Sequence, residues 1–95
     1  MIHVLGRVSV EALPRFLETF STRGLEARRT HGSAGSQVFH ELNDETRVCV
    51  LFSWESAEAF QRFAADPEVG AIMQASGMQE PPEFTLLTRV AEFES

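Results

Sequence analysis

The sequence contains no lysine, no tyrosine, a single cysteine, and no apolar run close to the ~20 residues of a membrane-spanning helix. The lone Cys49 cannot form an internal disulfide, so the cysteine content gives no indication of secretion. The first seven residues lack the basic and long apolar segments of a secretory signal. These absences lead us to expect a cytoplasmic protein with no membrane partner.

The basic residues are few and of one type. Eight arginines stand against fourteen aspartates and glutamates, which gives a formal net charge of −6 at pH 7. An acidic surface repels phosphate groups, and this disfavours nucleic acid as a partner.

The chain length limits the architecture. Ninety-five residues predict one domain that spans residues 1–95. Such a chain buries about 60–65% of its unfolded surface and has little room for a deep cleft of its own. The 43% content of hydrophobic residues is enough for a globular core. A small chain with one modest core also leads us to expect oligomerisation.

The hydrophobic spacing alternates along the chain between the two-residue period of strands and the 3.6-residue period of helices. The even-numbered residues from Ile2 to Val10 share one face of a strand, whereas the apolar residues from Leu13 to Phe20 have helical spacing. Asn43, Asp44 and Glu45 separate two strand-like runs, as in a β-hairpin. The predicted elements are strands 2–10, 37–42, 46–54 and 84–93, and helices 11–29, 57–65 and 67–75.

This βαββαβ order predicts an α+β fold of the ferredoxin-like type. Right-handed crossovers then give a four-stranded antiparallel sheet with the helices on one face. The other face carries Arg7, Cys49, Leu51 and alternate residues of the last strand, and it is too apolar to remain in water. A second copy of the chain would cover it, so we expect a homodimer whose two sheets form a dimeric α+β barrel.

Several segments of the chain are similar to one known family. They are the turn and strand from Gly32 to Leu42, the Asn43-Asp44 turn, the Phe52-Ser53-Trp54-Glu55-Ser56 strand end, the helix start Ala57–Phe60, the Asp66-Pro67 break and Pro81-Pro82-Glu83-Phe84. On these residues the chain resembles the antibiotic biosynthesis monooxygenase-like superfamily of dimeric α+β barrels over essentially its whole length. The resemblance implies intracellular homodimers with a pocket between the sheet and the helices of each subunit.

Members of this superfamily differ in activity. Some are cofactor-independent monooxygenases of quinols and aromatic polyketides, whereas others degrade haem, isomerise small metabolites or have no known activity. Haem-degrading members need an asparagine on the first strand and a histidine on the second helix. This sequence has Gly6 near the first position and Met73 or Gln74 near the second, so the resemblance implies no haem.

No other cofactor is expected. The sequence has no flavin motif and no Gly-rich nucleotide motif. His3, His31, His40 and Cys49 lack the spacing of metal ligands.

Trp54 and His40 are the candidate catalytic residues. Several superfamily members line the pocket with a tryptophan of the third strand, which matches Trp54. Its indole could stack on a planar substrate and donate one hydrogen bond, or it could be a core aromatic that closes the end of the sheet. His40 could accept a proton from a phenol or quinol, or it could be an exposed histidine of the hairpin.

The candidate substrate-binding residues are apolar: Phe16, Phe20, Phe52, Phe63 and Met73. The helical stripe to which most of them belong could line a pocket as easily as fill a core. Arg28 and Arg29 are expected at a solvated helix end. Cys49 lies in a nearly continuous apolar run, and we expect it to be buried and inert.

The sequence leaves two functions open, besides a domain with a packed pocket and only an assembly role. As the resemblance implies, the protein would be a cofactor-independent monooxygenase of a small aromatic, quinol or polyketide-like substrate, whose carbanion reduces O₂ directly in an apolar pocket. The alternative is a non-catalytic dimeric module that binds a small molecule. A catalytic version needs a polar group that faces the pocket, and without tyrosine the candidates are His40, Ser53 and Arg7.

Overall fold

The computed structural model describes all residues from Met1 to Ser95. Four strands and four helices alternate along the chain, and none of the helices is long and apolar enough to cross a membrane. The elements are β1 (Ile2–Ser9), α1 (Leu13–Ser21), α2 (Arg23–His31), β2 (Ser33–Glu41), β3 (Asp44–Trp54), α3 (Ala57–Ala65), α4 (Pro67–Ala75) and β4 (Glu83–Leu87).

The strands form one antiparallel sheet in the order β2-β3-β1-β4. The predicted α+β, ferredoxin-like fold is therefore confirmed. Even-numbered residues of β1 and β3 face the helices; Val4 is opposite Phe52, and Val8 is opposite Val48. These side chains join Phe16 of α1 and other helical residues in a core of twelve buried apolar residues.

The predicted helix 11–29 is wrong in one respect, because the structure divides it into α1 and α2. The break is at Thr22, whose φ of −113° and ψ of −97° are not helical. The Thr22 hydroxyl donates a hydrogen bond of 2.7 Å to the Glu18 carbonyl, and this local bond competes with the helical backbone pattern.

The last strand is shorter than predicted. It ends at Leu87, and residues 88–95 have no regular secondary structure. The register explains the difference: Leu87 pairs with His3, so the next residues of β4 reach the first residues of β1, where no partner strand continues. Val90 and Phe93 are consequently 96% and 82% exposed.

Side-chain caps fix the starts of the two helices that follow the hairpin, as predicted. Ser56 accepts a hydrogen bond from the backbone N–H of Ala59, and Asp66 accepts one from that of Glu68. Pro67 occupies the first turn of α4, where its missing N–H costs nothing. The short α3 and α4 therefore start at defined residues.

An ion pair connects the end of α2 to the start of α4. His31 Nε2 donates a hydrogen bond of 2.9 Å to Asp66 Oδ2, and both side chains are partly buried. The pKa of Asp66 lies below its usual value. The causes are the hydrogen bond from His31, the one from the Glu68 backbone N–H and the charge of His31. The ionised carboxylate therefore stabilises the fold above the pKa of an unfolded aspartate, near 3.9, and this contribution is lost as the pH falls through the lower folded value.

We predict that Asp66→Asn lowers the urea concentration of half-unfolding at neutral pH. Asparagine keeps the capping acceptor, so the loss reports the charge of the pair. The difference from wild type should shrink as the pH falls below about 4, because the wild-type carboxylate is then protonated as well. The measurement is a series of urea titrations followed by circular dichroism, with Glu45→Gln in the exposed hairpin as the control. A difference that does not change with pH would contradict the role of the ion pair.

Candidate active site

A cavity of about 70 Å³ lies between the sheet and the helices. Twelve of the eighteen residues that line it are hydrophobic. The five candidate substrate-binding residues all contribute to this lining: Phe16, Phe20, Phe52, Phe63 and Met73. The structure therefore brings together side chains from α1, β3, α3 and α4 around one apolar space.

The aromatic walls follow from the local structure. Phe16 and Phe20 are four residues apart on α1, and their rings stack with centroids 5.5 Å apart. Phe52 points from β3 toward the helices and has Phe63 of α3 and Phe84 of β4 at 6.5 and 6.3 Å. Rings from both layers of the fold, the sheet and the helices, thus border the cavity.

Gly6 of β1 makes room for one of these rings. A Cβ atom at this position would lie 3.0 Å from the Phe84 ring, which is opposite Gly6 in the sheet. Phe84 also lines the cavity, although the sequence did not single it out for a site. One signal in the sequence could have identified Phe84. The two-residue alternation of the last strand places it on the face that the helices cover.

Trp54 lies behind the cavity wall. It is fully buried, does not line the cavity, and packs its ring against Phe63 and Phe52 at centroid distances of 4.8 and 5.5 Å. Its Nε1 is buried with no hydrogen-bond partner. The indole thus supports two lining residues from behind, and a catalytic role for Trp54 stays a prediction.

The other polar candidates lie apart from the cavity. His40 is exposed near the hairpin end of β2, and its Nδ1 donates a hydrogen bond of 2.7 Å to the Glu41 carbonyl. Arg7 and Ser53 are on the sheet face that no helix covers, opposite Cys49 and His3 of the neighbouring strand. None of the three lines the cavity. A role for His40 as a proton acceptor also stays a prediction.

Arg28 was expected at a solvated helix end, and this expectation is wrong. The residue is only 5% exposed and lines the cavity from α2. Its Nη1 donates a hydrogen bond of 2.9 Å to the Phe20 carbonyl, and its guanidinium carbon lies 3.7 Å from the centre of the Phe20 ring. The break at Thr22 explains this burial, because it turns α2 so that Arg28 meets α1.

Arg28 is the one charged residue among those that line the cavity. Burial, followed by the nearby Arg29 charge, lowers the pKa of Arg28 to about 10, so the guanidinium remains protonated at neutral pH. No carboxylate forms an ion pair with it. The lining contains no histidine, aspartate or glutamate, and its other polar side chains are the hydroxyls of Thr19 and Ser76.

The cavity volume limits what fits without movement. A cavity of about 150 Å³ accepts one benzene ring, so a space of about 70 Å³ requires side chains to move before an aromatic ring enters. Met73 has three rotatable side-chain bonds and is the most adaptable lining residue on α4. The site can therefore enlarge without unfolding a helix.

Comparison with solved structures shows how widely this fold occurs. SnoaB, a cofactor-independent oxygenase from Streptomyces nogalater, is 18% identical, with a TM-score of 0.79 over 99% of this chain and 97% of that one. A Bordetella bronchiseptica protein named for the antibiotic biosynthesis monooxygenases is 15% identical, with a TM-score of 0.80 over 95% and 97%. A conserved protein from Methanosarcina mazei Go1 is 16% identical, with a TM-score of 0.69 over 90% and 88%. These likenesses concern the fold.

The sequence itself gives the family. No curated protein matches the chain. The family model described as antibiotic biosynthesis monooxygenase matches residues 1–75, which contain β1 to α4 and most of the cavity lining. The chain therefore belongs to the antibiotic biosynthesis monooxygenase family.

Proposed function

We propose that the protein is a cofactor-independent monooxygenase of a small electron-rich aromatic, a phenol or quinol. The observation that carries this proposal is the apolar cavity between the sheet and the helices, with phenylalanine rings on several sides. Family membership and the likeness to a cofactor-independent oxygenase support the same reaction class.

The proposed reaction needs no external reductant. A phenol with a free para position loses its hydroxyl proton, and the electron-rich ring carbon then donates electrons to O₂. The carbon forms a bond to one oxygen atom, its C–H bond is broken, and the second oxygen atom leaves as water. A phenol and O₂ thus give a quinone and water, and the substrate supplies all the electrons.

The cavity suits this chemistry because its lining is mostly apolar and aromatic. Phe16 and Phe20 offer stacked faces for a planar ring, and Met73 can move to admit it. Trp54 would hold Phe52 and Phe63 in place from behind. The protein would then contribute orientation and a dry environment rather than a redox group.

The alternative is a non-catalytic module that binds a small aromatic molecule. The specific observation in its favour is that no histidine or carboxylate lines the cavity, so no side chain there can accept the substrate proton at neutral pH. Turnover distinguishes this alternative from the oxygenase.

We predict that wild-type protein consumes O₂ with at least one member of a panel of phenols and quinols, and that Met73→Trp abolishes this uptake. The larger side chain would fill the cavity, and we expect a loss of at least about tenfold because the ring can no longer be positioned. The measurement is oxygen-electrode uptake together with product identification.

The matched control is Gln74→Trp, which adds the same indole to the exposed neighbour on α4. It should retain wild-type uptake, and circular dichroism should show that both variants are folded. Wild-type protein that consumes no O₂ above background with any phenol or quinol would contradict the oxygenase and leave the binding module.

We also propose that the protein is a homodimer that packs its two open sheet faces together. Leu5 and Leu51 are opposite each other on this face, and Phe39 beside Cys49 is 50% exposed. Cys49 on the same face is only partly buried within one chain. Two facing sheets would remove these side chains from water. The single domain 1–95 and the cytoplasmic location stay predictions.

Sedimentation equilibrium tests the dimer. Wild-type protein should have twice the mass of one chain at micromolar concentration, whereas Leu51→Arg should have the mass of one chain because two buried charges would face each other. The control is Leu17→Arg on the outer side of α1, where the side chain is already exposed. A folded monomeric wild type would rule out the proposed interface.

A further inference from the structure

Arg28 is the one charged residue of the cavity lining, and most of its hydrogen-bonding capacity is unused. A guanidinium has five N–H groups, and within the chain only Nη1 donates a bond, to the Phe20 carbonyl. The chain offers it no carboxylate, although 14 aspartates and glutamates are present. Trp54 Nε1 is the one fully buried polar side-chain atom without a partner, so the remaining N–H groups of Arg28 keep some accessible surface and can donate to a ligand.

The local packing holds the guanidinium in a fixed place. Its flat face lies on the Phe20 ring, with 3.7 Å between the guanidinium carbon and the ring centre. Gly24, one turn earlier on α2, leaves the necessary space, since a Cβ there would be 3.2 Å from Nη1. Thr19, five residues before Gly24, also lines the cavity.

We propose that Arg28 binds the anionic oxygen of a planar aromatic ligand whose ring lies among the phenylalanines of the cavity. This inference rests on the proposed function, because it assigns the ionised form of the substrate to the same cavity. An anionic oxygen can belong to an ionised phenol or to a carboxylate, and Arg28 would pair with either one. A neutral ring of the same shape would leave the cation unpaired.

The consequence for an oxygenase is that the cation favours substrate ionisation without a base beside the ring. A cation within hydrogen-bond distance stabilises a phenolate relative to the phenol and lowers the pKa of the bound phenol. The proton would pass to solvent. No other titratable side chain lines the cavity, and the neighbouring charge that acts on Arg28 is that of the exposed Arg29.

Two pairs of single-ring probes test the charge preference of the wild-type protein. The first pair is benzoate and benzamide, and the second is 4-nitrophenolate and 4-nitroanisole. Each pair shares a ring and differs in the anionic oxygen, and dissociation constants come from calorimetry. We expect the anion of at least one pair to bind about tenfold more tightly than its neutral partner, as a charge-assisted hydrogen bond implies.

The two pairs also distinguish the sources of the anion. A preference for benzoate alone assigns an aromatic carboxylate as ligand, and a preference for 4-nitrophenolate assigns an ionised phenol; both support Arg28 as the anion-binding group. Equal constants within both pairs, or no binding of either anion, would overturn the proposal. This comparison requires no variant, so a folding defect cannot obscure it.

Variants then identify the group that causes the preference for the anionic probe. Arg28→Gln should remove the preference, Arg28→Lys should restore part of it, and Arg29→Gln, which changes the exposed neighbour on the same helix, should leave it intact. For 4-nitrophenol, whose ionised form absorbs visible light, the apparent pKa of the bound probe should fall by about one unit or more in wild type and not in Arg28→Gln. A folded Arg28→Gln that retains the preference would assign it to another group.

The failure of this inference can be distinguished from that of the proposed function. The binding measurements consume no O₂. Charge selectivity without oxygen uptake would therefore support the anion site and contradict the oxygenase. Oxygen uptake without charge selectivity would support the oxygenase and contradict a role of Arg28 in substrate recognition.

Discussion

Side chains alternate between two faces along β1 and β3, and the helices cover only one of these faces. The covered face holds Val4, Val48 and Phe52, around which the buried core is assembled. The same alternation places Leu5 and Leu51 on the open face. Both the cavity and the exposed apolar surface therefore depend on one constraint, which is the two-residue period of a strand.

Large rings from the sheet and the helices border the cavity together with aliphatic side chains such as Val50 and Ile72. Phe52 packs edge to face on Phe60 and Phe63, and its ring centre lies 6.3 Å from that of Phe84. Met73 borders that space on α4. A site of this kind needs few specialised residues, and a chain of 95 residues can provide them.

The sequence was sufficient for the architecture and for the apolar part of the site. Alternating and helical periods predicted the βαββαβ order of elements and the antiparallel sheet, and phenylalanines that they placed on the covered face line the cavity. It did not reveal the break at Thr22, because a single polar residue inside a helical pattern is usually tolerated. The position of Arg28 depends on that break, and its burial was therefore missed.

The sequence by itself determined which faces are apolar, where α3 and α4 begin, and that four strands form one antiparallel sheet, because these properties depend on local spacing and capping. Only the tertiary structure decided that a cation from α2 lies among aromatic rings while Trp54 lies behind them. Those outcomes depend on contacts between different elements, such as Trp54 of β3 with Phe63 of α3 and Arg28 of α2 with Phe20 of α1. Spacing along a sequence does not specify how two helices turn relative to a sheet.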